Sequence, residues 1–248
     1  MKILLTNDDG FIADGMQELA RSLRAEHDVW VVAPDGGRSC CSHGVTNTRQ
    51  IRVRKVEEDG WEVDGTPADC VRTALHSLDL KPELVISGVN HGGNLGIDTL
   101  FSGTVAAARE ASIAGLRAIA ISQYMRRDIA CDWSQTAFRA HKVLEQVWAR
   151  HSPQGLFWNI NLPVIGPEER VGTTPFPLVD CRLEPSPLAY EFRLAPGDQR
   201  GTEDTPSLVA VYDYVSNYQE RPRSDGFDVA LCFAGHTTVT QLKAFPFA

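Results

Sequence analysis

Short apolar runs alternate with helical patterns through about the first two thirds of the chain, and this alternation strongly constrains the possible folds. Strands separated by helices pair in parallel, because each helix returns the chain to the end of the sheet where the previous strand began. The sequence therefore predicts an α/β fold, with a mostly parallel sheet and helices on both of its faces. The predicted strands are residues 2–6, 29–33, 84–87, 118–122 and 157–162.

Helix start signals lie between most of these strands. Asp14 and Gln17 have the spacing of a capping box, and apolar residues then recur on one face of the predicted helix. Thr66 is predicted to cap a second helix, because Pro67 would occupy its first position and Asp69 its first turn. Further helices are expected at residues 103–114 and 133–150.

Two segments depart from this alternation. Residues 50–63 alternate in character around Glu58-Asp59-Gly60, which is typical of an inserted β-hairpin. After Pro163 the prolines accumulate and the helical periodicity fades. We therefore expect residues 1–163 to form the core, and residues 164–248 to form a β-rich extension that packs on the core or on a second subunit. Within the extension, strands are predicted at 171–179, 189–194, 208–215 and 237–242, and a helix at 225–234.

The composition excludes several classes of protein. The formal net charge is −8 and Lys and Arg form no dense run, which argues against a surface for long nucleic acids. The six cysteines include no CxxC pair, so reduced thiols are expected. No signal-peptide pattern follows Met1, and no apolar run approaches the length that spans a membrane. We therefore expect a soluble, cytoplasmic protein.

Two adjacent carboxylates, Asp8 and Asp9, follow the first predicted strand. Like charges this close repel each other, and a hard divalent cation that takes oxygen ligands from both would relieve the repulsion. The alternative is a simple loop, in which residues 7–10 form an Asx turn and Asp14 caps the next helix. The local sequence leaves both interpretations open.

Other polar loops also follow predicted strands. Ser39 lies in the loop after the second strand, and Asn90 and Asn94 lie in the loop after residues 84–87. The carboxyl ends of parallel strands meet at one edge of the sheet, where ligands of α/β proteins bind. Hydroxyl and amide oxygens, added to Asp8 and Asp9, suit Mg²⁺, Mn²⁺ or Ca²⁺ and are poor ligands for structural zinc. Such a cation could polarise a phosphoryl oxygen and lower the pKa of a bound water.

An anion site is predicted where Ser102, Gly103 and Thr104 precede a helix. The opening residues of this helix are small and uncharged, so its backbone N–H groups could bind phosphate without competition from an acidic side chain. The alternative is ordinary N-capping by Ser102 or Thr104. The sequence contains neither a dinucleotide-binding fingerprint nor a phosphate loop that ends in Gly-Lys-Ser/Thr. Their absence disfavours dinucleotide binding and reactions driven by nucleoside triphosphates.

His43 is a candidate for proton transfer, because it follows the Ser39 loop. It could donate a proton to a leaving oxygen or contact a phosphate. The alternative is a structural histidine whose ring is satisfied by the backbone of the turn. His91 and His236 are weaker candidates, and Cys40 and Cys41 are expected to pack rather than react.

These motifs together resemble the SurE family, the stationary-phase survival proteins that act as metal-dependent 5'/3'-nucleotidases. The matching stretches are ILLTNDDG at 3–10, VAPD at 32–35, DGTPADCV at 64–71, SGVN at 87–90, GNLG at 93–96 and SGTVAAA at 102–108. The resemblance implies a Rossmann-like core, in three layers, with a C-terminal arm exchanged between subunits of a homodimer or homotetramer.

The resemblance also implies roles for individual residues. One divalent cation per subunit would be held by Asp8, Asp9, Ser39 and Asn90. Phosphate would bind near Ser102, Gly103 and Thr104, with Asn94 as a further substrate contact. The implied reaction is the hydrolysis of nucleoside monophosphates by metal-bound water, and the adjacent aspartates disfavour the Asp-x-Asp chemistry of a phosphoenzyme. The alternative function is a non-catalytic nucleotide-binding or regulatory module that needs the same metal.

Overall fold

A computed structural model describes residues 1–150, 152–164, 178–195 and 210–245 of the chain. The strands in these ranges are β1 (Lys2–Thr6), β2 (Asp28–Pro34), β3 (Val53–Glu57), β4 (Gly60–Val63), β5 (Leu84–His91), β6 (Arg117–Gln123), β7 (Leu156–Leu162), β8 (Leu178–Asp180), β9 (Tyr190–Leu194), β10 (Tyr212–Ser216) and β11 (Thr237–Lys243). The helices are α1 (Asp14–Leu23), α2 (Pro67–His76), α3 (Asp98–Phe101), α4 (Gly103–Ile113), α5 (Trp133–Trp148) and α6 (Asp228–Phe233).

One sheet organises the fold, in the strand order β3-β4-β2-β1-β5-β6-β7-β11-β8. Strands β4, β2, β1, β5, β6 and β7 run parallel to one another. The hairpin strand β3 and the late strand β11 are antiparallel to their core neighbours β4 and β7. The predicted α/β fold with a mostly parallel sheet is therefore confirmed, and so is the inserted hairpin, which extends the sheet through β4.

Helices cover both faces of this sheet, because successive side chains of a strand point to opposite sides. Leu5 packs with Met16 of α1 and Leu144 of α5 in one buried cluster. Its neighbour Leu4 packs with Val105 of α4 and residues of α2 in the other. Strands buried in this way on both faces read as continuous apolar runs, which is why the central strands were predictable from sequence.

The start of α2 confirms the predicted capping box. The Thr66 hydroxyl accepts a hydrogen bond from the Asp69 backbone N–H at 3.1 Å, and the Asp69 carboxylate accepts one from the Thr66 backbone N–H at 2.9 Å. Asp69 also accepts bonds from the Thr46 backbone N–H at 2.9 Å and the Thr46 hydroxyl at 2.7 Å. Burial alone would raise the pKa of Asp69, but these bonds from Thr46 and Thr66 lower it. The carboxylate thus ties a long loop to the helix.

We expect Asp69→Asn to lower the free energy of unfolding by about 2–3 kcal/mol at pH 7, because partly buried donors lose a buried, charged acceptor. An unfolded aspartate titrates near pH 3.9. The folded pKa lies lower, so this stabilisation is present at neutral pH and declines as the pH falls below about 3.9. Urea unfolding at pH 7 and pH 3.5 measures both effects. Glu58→Gln, at an exposed position of the hairpin turn, is the control, and an Asp69→Asn protein as stable as the wild type would contradict the assignment.

The predicted helix starts are correct for α4 and α5 and wrong in detail for α1. The capping box predicted at Asp14 is wrong, because Ala13 occupies the N-cap position and makes no side-chain cap hydrogen bond. Asp14 lies in the first turn instead, where a carboxylate favours the positive end of the helix. The predicted starts of α4 and α5 at Gly103 and Trp133 are confirmed. The single turn α3 was not predicted.

The extension contributes to the core sheet and also forms a separate ribbon. Strands β8 and β11 lie beyond β7 in the main sheet, whereas β9 and β10, among the described strands, pair with each other alone. The predicted strands at 171–179 and 208–215 fall partly outside the described residues, at 171–177 and 208–209. The ribbon exposes several large apolar side chains, namely Tyr190, Phe192, Leu194, Tyr212 and Tyr214. Among the helices in the described parts of the chain, none has the length and apolar character to cross a membrane.

Candidate active site

The turn after β1 contains the predicted Asx turn. The Asn7 side chain accepts a hydrogen bond from the Gly10 backbone N–H at 3.1 Å and donates one to the Gly10 carbonyl at 2.9 Å. Gly10 has a φ of +107° and lies against the backbone of Gly36, so a side chain would be strained there. Because Asn7 closes the turn by itself, the carboxylates of Asp8 and Asp9 are available for other contacts.

Asp8 is buried at the carboxyl edge of the sheet. Its Oδ1 accepts a hydrogen bond from the Thr104 hydroxyl at 2.5 Å, and its carbonyl accepts one from the Arg38 backbone N–H at 2.7 Å. Burial raises the pKa of Asp8 to about 6, against the lowering effect of Thr104 and together with repulsion from Asp9. A buried carboxylate of this kind gains from a neighbouring cation, which favours its ionised form.

Asp9 is half-buried beside the end of β5. Its Oδ2 accepts a hydrogen bond from the His91 backbone N–H at 3.0 Å. Burial raises the pKa of Asp9, and the interactions with His91 oppose this effect. The adjacent Asn90 donates its side-chain N–H to the Gly92 carbonyl at 2.7 Å. The amide oxygen of Asn90 is therefore the side-chain atom left to bind a cation.

Three of the predicted metal ligands, Asp8, Asp9 and Ser39, lie in loops. Asn90 lies near the end of β5, which continues to His91, and not in the predicted loop after residues 84–87. Backbone contacts hold these segments together. Arg38 bonds to the Asp8 carbonyl, and Ser39, the next residue, is exposed. His91 bonds to Asp9 directly after Asn90. The set therefore offers carboxylate, hydroxyl and amide oxygens, which are ligands that hard divalent cations prefer. The donor chemistry fits Mg²⁺ or Mn²⁺ better than a softer metal.

The N-terminus of α4 lies directly against Asp8. A Cβ atom on Gly103 would come within 2.9 Å of the Asp8 Cβ and 2.8 Å of the Cys41 Sγ, so this close approach requires glycine. The Ser102 hydroxyl accepts a hydrogen bond from the Val105 backbone N–H at 3.0 Å, which is the N-cap of the alternative interpretation. The Thr104 hydroxyl donates to Asp8 instead of capping the helix. The positive end of a helix and a buried carboxylate thus share one site.

His43 belongs to a charge network, centred on the buried Glu110, that the sequence did not predict. Its Nε2 lies 2.7 Å from a carboxylate oxygen of Glu110 on α4, and Arg72 of α2 donates to the other oxygen at 2.6 Å. Burial would raise the pKa of Glu110, but the bonds from His43 and Arg72 lower it. Glu110 is the one acidic residue in the sequence of α4, and that was the available signal. The ring of His43 is thus oriented by a carboxylate rather than by turn backbone.

Asn94 is buried, and hydrogen bonds connect it to the neighbouring strands β6 and β7. Its side-chain N–H donates to the Ser122 hydroxyl at 2.8 Å, and its backbone N–H donates to the Asn161 side chain at 2.7 Å. Its carbonyl accepts hydrogen bonds from the side chains of Asn159 and Asn161. These bonds hold the loop after β5 against the sheet, so Asn94 positions that loop.

An open cleft of about 850 Å³ adjoins the loop after β5. Tyr218 closes one side of it and donates its hydroxyl to the Gly93 carbonyl at 3.2 Å and to Asp98 at 2.9 Å. Arg221 bonds to the same Asp98 carboxylate at 2.5 Å. The cleft lining includes Gly92, Gly93, Tyr124, Arg126 and Tyr218. The C-terminal extension therefore stabilises this part of the site through Tyr218 and Arg221.

Comparisons with known proteins extend over nearly the whole chain. A family model described as "Survival protein SurE" matches residues 3–180. The chain is 42% identical over 244 residues to 5'-nucleotidase SurE of Geotalea daltonii (strain DSM 22248 / JCM 15807 / FRC-32), with 98% of this chain and 92% of that protein covered. It is 44% identical over 170 residues to 5'-nucleotidase SurE of Pelobacter propionicus (strain DSM 2379 / NBRC 103807 / OttBd1), with 68% of each covered. The crystal structure of the SurE protein from Aquifex aeolicus matches with a TM-score of 0.80 and 30% identity, covering 99% of this chain and 94% of that one.

Proposed function

The chain belongs to the SurE family, and from this premise we propose that it is a phosphomonoesterase that requires a divalent cation. Its substrates in this proposal are nucleoside 5'- and 3'-monophosphates, which it hydrolyses to nucleoside and phosphate. The relatives named 5'-nucleotidase SurE support the 5' activity. The chemistry of the described site supports the metal requirement.

The observation that carries the proposal is the contact between Asp8 and the N-terminus of α4. A phosphate monoester is a dianion, and the backbone N–H groups at a helix N-terminus bind such groups. Asp8 and Asp9 would repel the same phosphate unless a cation stood between them. A bound Mg²⁺ or Mn²⁺, with Ca²⁺ as a further candidate, would polarise a phosphoryl oxygen and lower the pKa of a water molecule. Asp8, Asp9, Ser39 and Asn90 are the residues that would hold it.

The other residues bind and orient the substrate in this proposal. The N–H groups of Gly103 and Thr104 face the phosphoryl group, while the Thr104 hydroxyl keeps the Asp8 carboxylate in place. Glu110 engages Nε2 of His43, which leaves Nδ1 to donate a proton to the leaving nucleoside oxygen. The cleft beside Gly92 and Gly93 would take the nucleoside.

Release of inorganic phosphate from a panel of nucleoside 5'- and 3'-monophosphates tests this function. We expect turnover with Mn²⁺ or Mg²⁺ and its loss after chelation, with recovery when the cation is restored. The rival function, a nucleotide-binding or regulatory module, would give nucleotide binding that depends on the metal without phosphate release. Calorimetric titration of the same samples with nucleotide measures the binding, so that binding without phosphate release can be distinguished from turnover.

The proposed assembly is a homodimer or homotetramer formed through the β9–β10 ribbon. The aromatic side chains of the ribbon are exposed. The ring contacts of Phe192 within the described residues are with Tyr190 and Tyr214 of the same ribbon. We expect light scattering to give at least a dimer at micromolar concentration, and Phe192→Lys with Tyr214→Lys to shift it toward the monomer. Phe138→Lys, at an exposed position of α5, is the control. A wild-type monomer would contradict this assembly.

The proposed location is the cytoplasm. All six cysteines, which lie within the described residues, are free thiols. Thiols persist in reducing compartments, whereas extracellular proteins commonly pair them.

A further inference from the structure

Two histidines and a glutamate meet at the edge of the sheet opposite to the candidate active site. Glu26 and His27 lie in the turn between α1 and β2, and His141 lies on α5, which packs against α1. One ligand atom from each residue lies within 4.8 Å of the other two. The length of β1 separates this cluster from Asp8, a distance on the order of 15 Å at about 3.3 Å per residue. The cluster is therefore independent of the Asp8 site.

Three of the four ring nitrogens in this cluster are buried and lack a hydrogen bond among the described residues. Within the described residues, both ring nitrogens of His27 lack a hydrogen-bond partner, and so does Nε2 of His141. His141 is only 5% exposed, and the Glu145 Oε1 atom lies 3.9 Å from its Nε2, beyond hydrogen-bond distance. A buried polar atom that lacks a partner costs free energy, so each such atom requires an explanation. A bound cation would supply the missing partner to both rings.

The surroundings orient these rings as metal ligands are commonly oriented. The Ser22 hydroxyl lies 2.9 Å from Nδ1 of His141. When Nδ1–H donates to that oxygen, Nε2 carries the lone pair, which is the tautomer that binds a metal. Trp148 packs edge-on against His27, with ring centroids 5.3 Å apart. The centroids of the His27 and His141 rings are 6.0 Å apart. Two imidazoles are thus held side by side.

We propose that Glu26, His27 and His141 form a second metal site, which binds Zn²⁺ with water in the remaining position. Two imidazoles and one carboxylate are a ligand set that zinc uses, whereas Mg²⁺ and Ca²⁺ take oxygen ligands. Zinc ligand bonds of about 2.0–2.2 Å require the three ligand atoms to move closer together than they are here. Glu26 is exposed and can rotate inward. The bound ion would link the α1–β2 turn to α5 and stabilise that edge.

Calorimetric titration of Zn²⁺ into the metal-stripped, full-length Asp8→Asn/Asp9→Asn protein tests the site, because this background removes the other carboxylate site. We expect one Zn²⁺ per chain. Adding His27→Ala or Glu26→Gln should abolish stoichiometric binding, and Ser22→Ala should weaken it about 10- to 100-fold through the loss of ring orientation. His76→Ala, at an exposed position of α2, should bind Zn²⁺ as the parent does. Absence of binding in the parent, or unchanged binding after His27→Ala, would overturn the proposal.

Two further measurements separate this site from folding defects and from the proposed function. Zn²⁺ should raise the thermal unfolding temperature of the parent but not that of a folded His27→Ala protein. Co²⁺, used as a probe, should give the stronger visible absorption of a four-coordinate site with nitrogen ligands, and the His27→Ala protein should lack it. In the wild-type background, His27→Ala should leave nucleotidase turnover with Mg²⁺ unchanged. Loss of Zn²⁺ binding with turnover intact would support the second site independently of the first.

Discussion

Asp8→Asn and Asp9→Asn are each expected to lower the turnover of nucleoside monophosphates by at least about 10³-fold, while the fold survives. Removing a metal ligand takes away several kcal/mol of transition-state stabilisation, and each 1.36 kcal/mol is a factor of ten in rate. The asparagine oxygen at position 8 can still accept the hydrogen bond from Thr104. Phosphate release at limiting Mn²⁺ measures the loss. The matched control is Asp14→Asn, because Asp14 is an exposed carboxylate in the first turn of α1. Turnover like that of the wild type in either variant would remove these residues from the metal site.

The same substitution at Asp8 should raise stability when no metal is bound. The pKa of Asp8 is raised from 3.8 to about 6 in the folded protein. A raised carboxyl pKa means that ionisation costs stability, and the full cost is present above pH 6. We therefore expect metal-free Asp8→Asn to unfold at a higher temperature than the metal-free wild type at pH 7. The difference should shrink as the pH falls through 6 toward 3.8, as thermal unfolding at several pH values can measure.

His43→Ala is expected to slow nucleotide hydrolysis by about 10²- to 10⁴-fold, the usual contribution of general acid catalysis. A nucleoside alkoxide is a poor leaving group that needs a proton, whereas the phenolate of an activated aryl phosphate needs little protonation. The variant should therefore hydrolyse an aryl phosphate nearly as fast as the wild type does. Turnover of both substrates, per folded enzyme, is the measurement, and His76→Ala is the control.

Other outcomes assign His43 differently. A large and equal loss with both substrates would indicate a phosphate contact, and small, equal effects would remove His43 from the mechanism. Glu110→Gln adds a further test, because it keeps a hydrogen-bond acceptor for His43 while removing the charge that Arg72 and His43 share. If Glu110 positions the ring, this variant should show the same selectivity for leaving groups as His43→Ala, in weaker form.

Local periodicity predicted much of the framework. Strand β1 and the start of α2 follow from neighbouring residues, because the apolar run and the Thr66–Asp69 capping box each lie within one short segment. The capping box at Asp14 was wrong by one residue of register, since capping depends on backbone angles at Ala13 that the motif does not encode. The turn α3 was missed because four residues carry no helical periodicity.

The sequence by itself determined the α/β fold and the delivery of Asp8 and Asp9 to the carboxyl edge of the sheet, because strand ends and loop order are local properties. Only the tertiary structure decided what those residues touch. Thr104 reaches Asp8 across 96 residues, and Glu110 reaches His43 across 67. The zinc cluster likewise joins a turn to a distant helix. Such contacts arise when helices and loops that are distant in sequence pack together on one face or edge of the sheet. Packing brings their side chains together by burial rather than by any spacing along the chain.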